Sequence, residues 1–318
     1  MLYFYNMKRF AKILLRSLLF VFVLLNIVVM FHAYKFTHFY DEGSVTIKAQ
    51  KDKSGWDKTK ELLFGFNAVK KKDTAPDTVY QTVYFKTKNS LKLEAWLINT
   101  PGAKGTIAMF HGHGGNKGGL LQEAAGFRSM GYNTLLLDFR AHGNSEGNSC
   151  TIGYKESEDV KLAYDYLQKS GEKNIILWGI SMGAASVTKA VNDYGISPSK
   201  IILEMPFGSL PGAVEGRVRM MGLPPQPVSV LLTFWGGVEH GFWAFNMKPS
   251  EYVKKIKCPV LLQWGKTDPR VTEKETMAVY NNIPTEKKLV IYDSSGHESL
   301  CANENAKWLS EVSAFLEH

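Results

Sequence analysis

Residues 179–183, Gly-Ile-Ser-Met-Gly, set Ser181 between two glycines, directly after the apolar run 175–178. A serine hydroxyl is a weak nucleophile until a base takes its proton, and that base is usually a histidine held by a carboxylate. A serine lifted on a sharp strand-to-helix turn needs small residues two places before and after it, because side chains there meet neighbouring backbone. The helix that follows brings its N-terminus to the hydroxyl, where developing negative charge is favoured. Partners occur in the order this chemistry needs. Asp268, in Trp264-Gly265-Lys266-Thr267-Asp268-Pro269, follows one apolar run, and His297, in Ser295-Gly296-His297-Glu298, follows the last one. The expected chemistry is acyl transfer at Ser181, with His297 as base and Asp268 as acid. Glu204 and Asp293 also end strand-like runs and stand as rival acids.

A third element is His111-Gly112-His113-Gly114-Gly115, after the run 106–110. Glycine-rich backbone here can turn N–H groups toward a carbonyl oxygen. The expected oxyanion donors are the N–H of Met182 and that of His113. A dinucleotide loop is disfavoured, since Gly-x-Gly-x-x-Gly is absent. His111 and His113 as metal ligands lack further ligands, so neither metal nor organic cofactor is expected. The three cysteines, Cys150, Cys258 and Cys301, form no zinc pattern; a Cys150–Cys301 bridge stays open for an oxidising compartment.

Strand–helix alternation must position these residues. Alternating apolar and polar residues at 78–87 and 91–98 read as a hairpin. Apolar runs at 106–110, 134–139, 175–180, 201–205, 260–264 and 289–292 read as buried parallel strands. Helical stretches at 117–130, 154–170, 182–194, 272–282 and 303–317 separate them. The expected fold class is α/β, a doubly wound, mostly parallel sheet with an antiparallel hairpin at one edge. A strand-free, aromatic insert at about 207–256 breaks the rhythm and reads as a cap over a site.

The first 40 residues differ in kind. From 13 to 31 the chain is apolar except for Arg16 and Asn26, long enough to cross a bilayer. Lys8, Arg9, Lys12 and Arg16 cluster on its N-terminal side, which places the N-terminus in the cytoplasm and exports the rest. A cleaved signal peptide competes, but Phe31-His32-Ala33-Tyr34-Lys35 is a poor cleavage site. Tyr34, Phe36, Phe39 and Tyr40 are expected in an interfacial belt. The formal net charge is +8, yet residues 1–75 hold 13 Lys+Arg against 6 Asp+Glu. The positive charge therefore belongs to the anchor and to a linker over 41–77. It fits anionic lipid headgroups or a solvated stalk, and no nucleic-acid partner is expected.

Together with Asp138-Phe139-Arg140-Ala141-His142-Gly143-Asn144-Ser145, these motifs make residues 78–318 resemble the α/β-hydrolase superfamily, in its serine aminopeptidase-like and carboxylesterase-like branch. The resemblance implies Ser181, Asp268 and His297 as a triad and Met182 and His113 as oxyanion donors. Ala141 departs from the glycine usual at its place. The resemblance implies cleavage of an ester, thioester or amide, and the aromatic insert and nearby membrane point to an ester or thioester of a small-molecule or lipid-like acyl substrate. A peptidase acting on small peptides and a membrane-tethered binding protein that keeps the fold remain as alternatives.

Overall fold

Strands buried on both faces belong in the middle of a sheet, and strands with one wet face belong at its edge. The computed structural model describes residues 2–317 and shows this ordering. Eight strands form the main sheet: β1 Gln81–Lys86, β2 Lys92–Ile98, β3 Thr106–Phe110, β4 Asn133–Leu137, β5 Ile175–Ile180, β6 Lys200–Glu204, β7 Val260–Gly265 and β8 Lys287–Tyr292. Their spatial order is β8-β7-β6-β5-β3-β4-β2-β1. β2 runs antiparallel to β1 and β4, and the other pairings are parallel. All of β3 is buried, whereas β1 alternates toward its end. This is the mostly parallel α/β sheet expected, with the hairpin as its antiparallel edge.

Eleven helices are described: α1 Leu2–Thr37, α2 Gly55–Phe64, α3 Leu121–Ser129, α4 Glu156–Lys169, α5 Met182–Tyr194, α6 Leu210–Met220, α7 Val228–His240, α8 Pro249–Tyr252, α9 Glu273–Asn282, α10 Leu300–Asn303 and α11 Asn305–Glu317. Two apolar layers cover the sheet. One holds Val160 and Leu167 of α4 with Val187 and Val191 of α5. The other holds Phe127 of α3 with Trp308 and Leu316 of α11. The layers also settle the cysteines. Cys150 lies in the first and Cys301 in the second, so the sheet separates them, and all three thiols are free and buried.

α1 has 36 residues, a length of about 54 Å, which exceeds the roughly 30 Å of a hydrocarbon core. Its two parts differ. Side chains from Tyr5 to Leu24 are exposed, whereas those from Leu25 onward are mostly covered by the rest of the chain. Asn26, the polar residue within the apolar run, accepts a hydrogen bond from Trp235 Nε1 of α7 at 3.1 Å. The aromatic belt expected after the run is largely absorbed by packing. Phe39 is buried and Phe36 stacks on His113 with centroids 4.5 Å apart.

Residues 41–77 are also tied down. Phe39–Tyr40 pairs in parallel with Ala68–Val69, and α2 opens on a capping box between Ser54 and Asp57. Asp73 reaches a buried ion cluster described below. Between β6 and β7 the structure has helices and no strand, with α6 and α7 packed on each other and α7 on α1.

Candidate active site

Ser181 sits at the end of β5 with φ 54° and ψ −114°, a conformation L residues rarely adopt. Its N–H is held by the Glu204 carbonyl at 2.8 Å. The turn is tight enough to exclude side chains on both sides. A Cβ at Gly179 would lie 2.6 Å from the Gly183 carbonyl carbon, and one at Gly183 would lie 2.1 Å from the Phe110 carbonyl oxygen. Both obstacles are backbone. Gly183→Ala is therefore expected to force α5 away from β3 and to destabilise the fold by about 2–3 kcal/mol, read as a lower denaturation midpoint.

The loops after β7 and β8 bring the other two residues to Ser181. Asp268 Oδ1 accepts from the N–H groups of Arg270 at 2.7 Å and Val271 at 2.9 Å. This leaves Oδ2 facing His297 Nδ1 at 2.6 Å. The Asp268 carboxylate is fully buried. An ionised carboxylate only accepts, so it holds the imidazole proton on Nδ1. Nε2 is then free to accept from Ser181 Oγ, 2.9 Å away. Thr267 fastens the two loops, donating to the Ser295 carbonyl through its N–H at 3.0 Å and its hydroxyl at 2.9 Å. Both rival acids lie elsewhere. Asp293 is exposed and pairs with Lys266 at 3.0 Å. Glu204 points into the core, where its Oε1 accepts from Trp178, Gln263 and Trp308.

The glycine-rich loop passes beside the serine. A Cβ on Gly112 would lie 3.5 Å from Ser181 Cβ. The N–H of His113 makes no hydrogen bond among the described residues, and that of Met182 lies in the first turn of α5, where no intrahelical acceptor exists. The imidazoles of this region serve architecture. His111 accepts from the Phe139 N–H at 3.1 Å and bonds the Gly112 carbonyl at 2.8 Å. His142 accepts from the Gly114 N–H at 3.1 Å, and His113 Nε2 donates to the Phe36 carbonyl at 3.1 Å. Burial lowers the pKa of His111 to about 4 and those of His113 and His142 to about 3, so all three stay neutral near pH 7.

Residues 101–234 match the family model described as serine aminopeptidase, S33. Over 217 residues the chain is 25% identical to the uncharacterized protein YqkD of Bacillus subtilis, covering 67% of this chain and 71% of that protein. It is 28% identical over 177 residues to the lysophosphatidylserine lipase ABHD12 of Danio rerio, covering 51% of this chain and 43% of the lipase. The matched region thus spans less than half of that relative. Among solved structures, the esterase Pf2001 of Pyrococcus furiosus shares the fold with a TM-score of 0.65 and 24% identity, over 80% of this chain and 98% of its own. The chain has the α/β-hydrolase fold.

Within this fold an ion cluster fixes the glycine-rich loop. Asp138 accepts from the N–H groups of Lys117 at 2.7 Å and Asn144 at 2.8 Å. Lys117 Nζ is fully buried, bonds Asp138 and Asp73, and lies 3.0 Å from Glu94. The three carboxylates have the spacing of a metal site, but the ammonium occupies its centre. Burial alone would pull the lysine pKa down; Asp138 and Asp73 outweigh it, and the pKa stays above its usual value. In the same loop Ala141 has φ 65°, which explains why glycine is usual there.

Glu204 has a different consequence. Burial raises its pKa from 4.5 to about 8, although three neutral donors reach Oε1; Oε2 has no partner. The folded state thus keeps the proton that the unfolded state releases above pH 4.5. This stabilisation is full at low pH and is lost as pH rises through 8. Glu204→Gln keeps a neutral acceptor for the tryptophans. It is expected to flatten the fall in unfolding free energy between pH 5 and 8 by about 2–4 kcal/mol relative to the parent protein.

Ser181 and His297 open into a cavity of about 720 Å³. Its walls include Leu210, Val214 and Val218 of α6 and Thr233 of α7, and also Ala33 and Phe36 from the end of α1. Sequence reasoning did not find this contribution of α1, nor Arg217 and Arg270, which also line the cavity. Arg270 stands two residues after Asp268, a weak signal; nothing in the sequence marked Arg217 or Phe36.

Proposed function

We propose that this protein is a serine hydrolase that cleaves a carboxylic ester or thioester through an acyl-enzyme on Ser181. The observation that carries the reading is the pair of contacts at the cavity floor, Ser181 Oγ to His297 Nε2 at 2.9 Å and His297 Nδ1 to Asp268 at 2.6 Å. As the Ser181 oxygen adds to the substrate carbonyl, His297 takes its proton and Asp268 stabilises the imidazolium. The N–H groups of His113 and Met182 receive the charge on the carbonyl oxygen. His297 then returns the proton to the leaving alkoxide or thiolate as the bond to the acyl carbon breaks. Water repeats the sequence on the acyl-enzyme and frees Ser181 as the acid departs. The names of the relatives, a lysophosphatidylserine lipase and an esterase, favour an ester or lipid-like substrate.

An aminopeptidase activity fits less well. A substrate ammonium calls for a carboxylate, yet Lys35, Lys71, Arg217 and Arg270 line the cavity. Glu123, also in the wall, is held toward its neutral form by burial and bonds Ser299. A fluorophosphonate probe tests the reading against a non-catalytic binding role. The wild-type protein should be labelled on Ser181; an unlabelled wild type, or labelling that persists in Ser181→Ala, refutes it.

The helices between β6 and β7 act in this reading as a cap, and α1 as an anchor. The apolar run 13–31, exposed as far as Leu24, is about 28 Å long and matches the roughly 30 Å hydrocarbon core. Lys8, Arg9, Lys12 and Arg16 keep the N-terminus cytoplasmic and export the catalytic part. The protein should stay with membranes in alkaline carbonate. External protease should digest it in sealed right-side-out vesicles; protection there would reverse the sidedness.

A further inference from the structure

The cations classed as buried among the described residues, Lys117, Arg140 and Lys189, are paired with carboxylates. Lys117 sits among Asp73, Glu94 and Asp138, and Arg140 bonds Asp159 and Glu158. That is the ordinary rule, because a desolvated charge without a counter-ion is costly. Arg217 and Arg270 differ, as do the partly exposed Arg128 and Lys200, but Arg217 and Arg270 reach a cavity. Both are only partly exposed, both line the cavity that holds Ser181, and neither is ion-paired among the described residues. Arg217 lies over the Phe36 ring at 5.2 Å, and Arg270 Nε reaches the Met220 sulfur at 3.3 Å.

The fold also brings the backbone segments that carry the two arginines together. The helix carrying Arg217 packs on the loop carrying Arg270 so closely that a Cβ at Gly216 would lie 2.3 Å from the Arg270 carbonyl oxygen. Burial and the neighbouring Arg270 lower the Arg217 pKa to about 10, and no carboxylate offsets them. Both arginines also lower the pKa of His113, so their field reaches the loop beside Ser181.

We propose that Arg217 and Arg270 form an anion subsite of the catalytic cavity, which selects acyl substrates that carry a carboxylate or phosphate group. The proposal rests on the acyl-hydrolase reading and adds a charge requirement to it. Two planar guanidiniums lining one cavity suit the oxygens of either group. The apolar wall from α6 and from the end of the membrane-type helix α1 suits a hydrocarbon chain, so the preferred substrate is an anionic amphiphile.

The test uses the full-length protein in detergent or nanodiscs. The kcat/KM for mono-p-nitrophenyl adipate is compared with that for p-nitrophenyl hexanoate, a neutral ester of equal chain length. The anionic ester should be preferred. Arg217→Gln and Arg270→Gln should each reduce that preference about tenfold, and Arg217→Lys should keep most of it. No preference in the wild type, an unchanged ratio in both glutamine variants, or an equal fall for both esters would overturn the proposal. An equal fall would mean that the arginines serve the oxyanion or the fold instead.

A binding arm keeps the outcome separate from catalysis. In Ser181→Ala protein, n-dodecyl phosphate should bind about tenfold more tightly than 1-dodecanol and lose that advantage in Arg217→Gln. Inorganic phosphate should bind far more weakly than dodecyl phosphate. Equal binding of phosphate and dodecyl phosphate overturns the amphiphile, and equal binding of dodecyl phosphate and dodecanol overturns the subsite. Failed fluorophosphonate labelling with anion-selective binding would sink the hydrolase reading and leave the subsite standing.

Discussion

Ser181→Ala is expected to lower kcat on p-nitrophenyl butyrate by about 10⁴-fold or more and to abolish fluorophosphonate labelling, with unchanged thermal unfolding. The hydroxyl contributes a 2.9 Å hydrogen bond to His297 and little packing, so its loss should affect chemistry far more than stability. His297→Ala should fall to a similar level, because serine without its base is a poor nucleophile. Asp268→Asn should cost about 10³–10⁴-fold, since an amide facing Nδ1 no longer dictates the proton position. The three losses should not add. Ser181→Ala combined with Asp268→Asn should be no slower than Ser181→Ala alone, as expected of groups that act as one unit. Full additivity in that pair would show that Asp268 acts outside the unit formed with His297.

Lys117→Met is expected to destabilise the protein by about 3–5 kcal/mol, read from the denaturant midpoint of the detergent-solubilised chain. Methionine matches the lysine stem in length but leaves the carboxylates of Asp73, Glu94 and Asp138 facing one another without a cation. The loss extends beyond the charge. Asp138 also holds the Lys117 and Asn144 backbones, so a displaced carboxylate loosens the glycine-rich loop and the 138–145 loop together. Activity should therefore fall even below the unfolding temperature. Adding Asp138→Asn should recover part of the stability by removing one of the unpaired charges. A Lys117→Met protein as stable as its parent would show that the cluster is hydrated rather than desolvated.

Much of the site is readable along the chain because its signals are local. A nucleophile turn needs its glycines within two residues, and the Cβ distances at Gly179 and Gly183 show the steric reason. The ends of parallel strands point to one side of the sheet, so an acid after β7 and a histidine after β8 must converge near a serine after β5. The glycine normally found at the place of Ala141 has an equally local cause, a left-handed φ of 65°.

Other features depend on which distant residues the fold brings together. Asp268 and Glu204 both follow apolar runs, and only the structure separates them. Asp268 lies in a loop held open to His297, while Glu204 still belongs to its strand and faces Trp178 and Trp308 in the core. Asn26 reads as a flaw in an apolar run until Trp235, 209 residues later, is placed beside it. Residues 41–77 read as a linker because no periodic pattern announces Asp73 as a ligand of Lys117.

By itself, then, the sequence determined the strand–helix alternation, the turn that exposes Ser181 and the loops that carry Asp268 and His297, since each depends on neighbours in the chain. Only the tertiary structure decided what surrounds them. Phe36 of α1, Arg217 of α6 and Arg270 after β7 have no local pattern in common. They share one cavity because α7 packs on α1 and α6 packs on the β7 loop, contacts made by side-chain shape across long stretches of chain.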